Sequence, residues 1–119
     1  MTKAAHVTAF LALAFSASVL SPLPVLGEEP ITLTIKNHRF TPDQVTAPAG
    51  ERFQIVVSNQ DATPSEFESS ALRVEKIVVA GGRISVMVGP LTPGTYKFFD
   101  DYHPDTAIGN LTAVEKKIP

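Results

Sequence analysis

"GTYKFFDDYHPDT", residues Gly94 to Thr106, changes chemistry halfway along its length. The first half alternates, with Tyr96 and Phe98 on one side of an extended chain and Thr95 and Lys97 on the other. That period of two is the mark of a half-buried strand. The second half carries three carboxylates, Asp100, Asp101 and Asp105, and one histidine, His103, beside the strand end. The first half bears on the fold and the second on function.

The same period recurs outward in both directions. "ITLTIK" sets Ile31, Leu33 and Ile35 against Thr32, Thr34 and Lys36. "RFQIVVSN" places Phe53, Ile55 and Val57 on one face, and "RISVMVG" does so with Ile84, Val86 and Val88. "RVEKIVVA" is a further β-rich run, and "GNLTAVE" closes the series with Leu111 and Ala113. Turn signals separate them at Pro48-Ala49-Gly50, Asp61 to Pro64, Gly81-Gly82, Pro90 and Pro93-Gly94. No stretch shows a helical apolar stripe. Short strands punctuated by Gly and Pro predict an all-β, antiparallel sandwich or barrel, with Phe40 in its core and Gly50 in a tight turn.

Composition narrows the function. The chain has 119 residues, 44% hydrophobic and 18% charged, which suits one small domain. Net charge is −2 with no polybasic run, so no nucleic-acid partner is expected. The absence of cysteine excludes disulfides, zinc-finger clusters, thiolate catalysis and a cysteine-ligated copper. Residues 1–27 have the build of a cleavable signal peptide: Lys3, an apolar run from Val7 to Leu20, then Pro22 and Pro24, with cleavage after Gly27. The run is shorter than the roughly 20 residues of a spanning helix. The expected domain is therefore residues 28–119.

Two longer stretches carry a family resemblance. "NHRFTPDQVTAPAGERFQIVVSNQD" (37–61) and "GPLTPGTYKFFDDYHPDTAIGNLTAV" (89–114) together resemble the cupredoxins. The resemblance implies a Greek-key β-sandwich. At the position of the family's copper-binding cysteine stands Asp100. His103 falls where a short-loop cupredoxin has its C-terminal histidine, and Thr106 where it has its axial methionine. The N-terminal histidine is expected after Asp61, where the chain reads "ATPSEFESSAL" and offers only Glu66 and Glu68. "EFES", "VEKIVVAGG" and "FFDDYHPDT" are together similar to a cysteine-less, EfeO-type subgroup. That likeness implies a periplasmic protein handling copper and/or iron, with a membrane iron permease and sibling periplasmic iron-uptake proteins as partners.

The chemistry of these residues sets further expectations. Without a thiolate the chain cannot be a fast blue-copper carrier; carboxylates with one imidazole favour Cu(II), Fe(II), Fe(III) or Mn(II). The expected metal ligands are Glu66, Glu68, Asp100 or Asp101, and His103. Glu66 and Glu68, at i and i+2, share a strand face, whereas Asp100 and Asp101 face opposite sides. Asp100 is favoured because it takes the cysteine's place, with Asp101 close behind. Met87 is an outlying candidate, a thioether able to hold Cu(I). His38 reads as a surface residue and Asp105 as a turn residue. No nucleophile or oxyanion hole accompanies the Asp/His cluster, so no conventional enzyme is expected, although assistance to Fe(II) oxidation stays open. Two other readings stay open: a metal-free interaction module docking on a permease, and a periplasmic copper carrier.

Overall fold

The computed structural model describes residues 29–116, and the expected leader at 1–27 lies outside the described residues. The elements are β1 (Ile31–Lys36), β2 (Arg39–Thr41), β3 (Gln44–Pro48), β4 (Phe53–Asn59), β5 (Ser65–Ser69), β6 (Val74–Val78), β7 (Arg83–Val88), β8 (Gly94–Asp100) and β9 (Ile108–Val114). They form two facing sheets, β2-β1-β4-β7 and β3-β9-β8-β5-β6. The expected all-β sandwich is thus borne out. The pairing is mixed, however: β1 runs parallel to β4, and β3 parallel to β9. The cause is topological. After the β1–β2 hairpin the chain crosses to the other sheet as β3 and then returns as β4, so the returning strand meets β1 in the same direction.

The predicted alternation fills the space between the sheets. Leu33, Ile35, Ile55, Val57, Phe67, Phe98 and Leu111 are fully buried. Phe40 joins Phe67 and Phe98 in an aromatic cluster, edge-on to Phe98 with centroids 5.0 Å apart, while Phe67 and Phe98 lie 5.7 Å apart. Each such ring contributes about 1.5–3 kcal/mol by burial. Phe67 inside forces its neighbours Glu66 and Glu68 outside. Phe98 inside likewise turns Asp100 inward and Phe99 and Asp101 outward. Gly109, on β9, allows the Phe98 ring to pass: a Cβ there would sit 2.6 Å from the Asp43 carbonyl oxygen and closer still to the ring.

Two local devices shape the end of the sandwich near His103. Lys36 pairs with Arg39 across a two-residue loop in which Asn37 (φ 53°) and His38 (φ 56°) both adopt the left-handed conformation. This is the turn geometry whose twist matches a right-twisted hairpin. Asn59, 1% exposed, donates to the carbonyls of Thr63 (2.8 Å) and Val78 (3.0 Å) and accepts from the Asp61 N–H (3.0 Å). Asp61 is thereby aimed at the hairpin. Its two oxygens accept the Asn37 and His38 N–H groups at 2.7 and 2.9 Å.

Candidate metal centre

Asp100 ends β8 with its side chain between the sheets, 0% exposed. A buried carboxylate needs partners, and this one has them. Oδ1 accepts the Glu66 N–H at 2.9 Å and the Tyr102 N–H at 3.0 Å, and Oδ2 lies 2.8 Å from His103 Nδ1. Burial by itself would raise the acid's pKa. The Glu66 and Tyr102 amides and the His103 ring outweigh it and hold the carboxyl below its ordinary value. The Ser65 hydroxyl, fully buried beside this carboxylate, adds to the same effect. The loop closes on the same residue, since His103 N–H donates to the Asp100 carbonyl and Ala107 N–H to that of His103, each at 3.0 Å.

Glu66 also accepts the Asp101 N–H through its carbonyl, at 2.9 Å. With the strand and the loop clamped together, the Asp101 side chain emerges on the outer sheet face next to Glu66. One oxygen each from Glu66, Glu68 and Asp101 fall within 4.8 Å of one another. Glu75 pairs across the sheet from Glu68 and adds a further negative charge. Partial desolvation first, then repulsion from Glu75 and Asp101, push the Glu66 and Glu68 carboxyls above their ordinary values. Among the described residues the ion pairs are His38–Asp61 and His103–Asp100, so no lysine or arginine neutralises this group.

The structure therefore divides the expected ligands. Glu66, Glu68 and Asp101 share the outer face of one sheet. Asp100 and His103 are joined to each other on the inner side, so Asp100, the favoured aspartate, does not face the two glutamates. Met87 lies on the outer face of the other sheet, 53% exposed opposite Gln54. It lines a groove of about 490 Å³ with Leu72, Arg73, Leu91 and Tyr96, and no carboxylate or imidazole lines that groove.

His38 was not expected near the loop, and the structure puts it there. Its ring stacks on His103 with centroids 3.7 Å apart and planes 20° from parallel. The two residues are 65 positions apart in sequence, and periodicity carries no sign of the contact. The available signal was the Asp61 side chain, which reaches back to cap the Asn37-His38 turn. Asp61 is itself held below its ordinary pKa: burial opposes ionisation, and the His38 and Asn37 amides and the two imidazoles overcome it.

A family model described as a cupredoxin-like domain matches residues 5–113. An uncharacterized protein of Rickettsia prowazekii (strain Madrid E) is 42% identical over 79 residues, covering 66% of this chain and 63% of that protein. The chain thus spans less than two thirds of that relative. Among solved structures, a purple cupredoxin from Nitrosopumilus maritimus aligns with a TM-score of 0.57 at 18% identity, over 71% of this chain and 99% of that one. Auracyanin from Roseiflexus castenholzii gives 0.61 at 15% identity, over 73% and 98%. Amicyanin from Paracoccus versutus gives 0.57 at 14%, over 72% and 82%. At these identities the structural likeness is one of fold.

Proposed function

This chain belongs to the cupredoxin-like domain family, and on that premise we propose that it binds a hard or borderline metal ion, iron and/or copper, through surface carboxylates. The reading rests on one observation: Glu66, Glu68 and Asp101 bring three oxygens within 4.8 Å of one another, with no cationic side chain paired to them among the described residues. Around one ion with metal–oxygen bonds of about 2.1 Å, ligand oxygens lie up to about 4.2 Å apart. The three side chains need only close slightly. A cation there would also relieve the repulsion that raises the two glutamates.

A blue-copper centre does not fit this chain. There is no cysteine, and the residue in its place, Asp100, has both oxygens engaged by the Glu66 and Tyr102 amides and by His103. A carboxylate site selects harder ions, and oxygen donors favour ferric over ferrous iron. We assign the protein to the periplasm, as an accessory of high-affinity iron uptake beside a membrane permease. The support for that placement is the motif resemblance of "EFES" and "FFDDYHPDT". A docking role finds its own support in Ile77 and Val79, 54% and 63% exposed at and just beyond edge strand β6.

Titration of chelator-treated protein with Fe(II) under anaerobic conditions, and separately with Mn(II), tests the site. One equivalent binds to the wild type, and binding is lost in the Glu66→Gln/Glu68→Gln/Asp101→Asn triple variant. No binding by the wild type, or unchanged binding by the triple variant, refutes it.

A further inference from the structure

We propose that the outer face of the β2-β1-β4-β7 sheet docks onto an anionic phospholipid surface through Lys36, Arg39 and Arg83. No metal ion and none of the opposite sheet's carboxylates takes part.

Charge in this sandwich is segregated by sheet. None of the four strands Ile31–Lys36, Arg39–Thr41, Phe53–Asn59 and Arg83–Val88 contains an aspartate or glutamate. They carry three cations, all exposed. Alternation decides which way these point. Ile35, Phe40, Val86 and Val88 are buried between the sheets, so Lys36, Arg39 and Arg83 share the outer face. Among the described residues no ion pair involves any of the three. Asp61, in the loop after β4, has its two oxygens engaged by the Asn37 and His38 amides.

Register gathers the cations into one patch. Lys36 faces Arg39 across the hairpin, and Arg83 pairs with Ser58, which pairs with Thr34. With strands about 4.8 Å apart and about 3.3 Å per residue, the Lys36 and Arg83 backbones stand about 12 Å apart. Thr34 and Ser58 lie between them. Two guanidinium forks, one ammonium and two hydroxyls form a donor set suited to phosphodiester oxygens.

The chain as a whole is negative, −2, but its carboxylate cluster stands on the far side. Glu66, Glu68 and Asp101 share the outer face of the other sheet, with Glu75 paired to Glu68. Facing sheets are about 10 Å apart and a layer of side chains lies beyond each, whereas charges are screened over about 8 Å at physiological ionic strength. That cluster therefore does not cancel the field at the cationic face. The partner is a lipid surface rather than an acidic protein because this face lacks anchors. Met87 is the one exposed large apolar side chain on these four strands. Protein interfaces centre on apolar or aromatic anchors, while attraction to anionic headgroups needs only charge. Each cation near such a surface gives about a fivefold gain in partitioning, so three give on the order of a hundredfold. Docked this way, the protein turns its carboxylate face toward solvent.

The test measures partitioning of the full chain, in chelator, onto mixed phosphatidylglycerol–phosphatidylcholine vesicles and onto phosphatidylcholine vesicles alone. The wild type should bind the anionic vesicles at least about tenfold more strongly and lose that gain in high salt. Lys36→Gln/Arg39→Gln/Arg83→Gln should also lose it. Lys76→Gln/Lys97→Gln, which removes cations of the other sheet, should keep most of it. Residues outside the described domain are the same in every variant, so only the face differs. Orientation is read from labels, since the chain has no cysteine. Thr32→Cys places a fluorophore on the cationic face and Thr46→Cys on the outer face of the other sheet, both at exposed positions. Lipid with a quenching headgroup should quench the first label more than the second. Equal partitioning onto the two vesicles, a triple variant that binds as wild type, or equal quenching of the two labels would overturn the proposal. Binding to polyglutamate without any preference for anionic vesicles would mark an acidic protein partner and overturn it too.

Discussion

Removing the Asp100 carboxylate should be the most damaging single polar change in the metal-free protein. Asp100→Ala strips the acceptor from two backbone amides and the His103 ring in a fully buried place. Hydrogen bonds to a charged group are worth about 1.5–3 kcal/mol each. Set against them is the desolvation of the carboxylate itself, several kcal/mol that the variant no longer bears. The expected net loss is about 3–4 kcal/mol, a large part of the roughly 5–15 kcal/mol that holds a domain together. With a urea m-value of about 1–1.5 kcal/mol/M, the midpoint should fall by roughly 2–4 M. Because the folded pKa of Asp100 lies below its ordinary 3.8, its stabilisation is complete above that value and fades as pH falls through the lowered one. The gap between wild type and Asp100→Asn, which keeps the shape without the charge, should therefore be widest near pH 7 and shrink below pH about 4. Urea unfolding in chelator at both pH values reads this out. A loss under about 1 kcal/mol for Asp100→Ala would refute the view of this carboxylate as the clamp between β5 and the loop.

Other predictions follow from the same geometry. Gly109→Ala drives a methyl into the Phe98 ring and the Asp43 carbonyl, so it should cost about 1–3 kcal/mol and lower Tm by about 5–15 °C; Phe98→Leu in the same chain should restore part of that loss in a thermal melt. Asp61→Ala leaves the Asn37 and His38 amides without their acceptors and should cost about 1–3 kcal/mol, with faster hydrogen exchange confined to the β1–β2 turn. Glu66 and Glu68 carry raised pKa values, so metal-free wild type should lose stability as pH rises from their ordinary 4.5 through the raised values. Glu68→Gln should accordingly have a higher Tm than wild type at pH 7, and that advantage should vanish at pH 4.

Much of the fold was legible because a sandwich has an inside. Alternation put Phe53, Ile55 and Val57 on one face, and Phe98 on the inner side of its strand, without any knowledge of the partners. The parallel pairings β1–β4 and β3–β9 were not legible, because register between distant strands leaves no local trace. At the site, alternation correctly set Glu66 beside Glu68 and turned Asp100 and Asp101 to opposite sides. Which aspartate joins the glutamates depends on how β5 meets the loop after β8. The Glu66 backbone takes Asp100's carboxylate on one side of the chain and so delivers Asp101's on the other. The resemblance to copper proteins pointed to Asp100 by position, and position does not state what its oxygens bond. His38 was invisible for a related reason: its neighbour His103 is brought near by Asp61 and Asn59, which act through backbone amides rather than through any motif of their own.

The central claim is a cation held by Glu66, Glu68 and Asp101, and anomalous diffraction from crystals grown with iron tests it most directly. The account predicts an iron-edge peak among those three carboxylates, with metal–oxygen distances of about 2.0–2.2 Å. Iron bound elsewhere, or fully occupied crystals with no peak on that face, would contradict it.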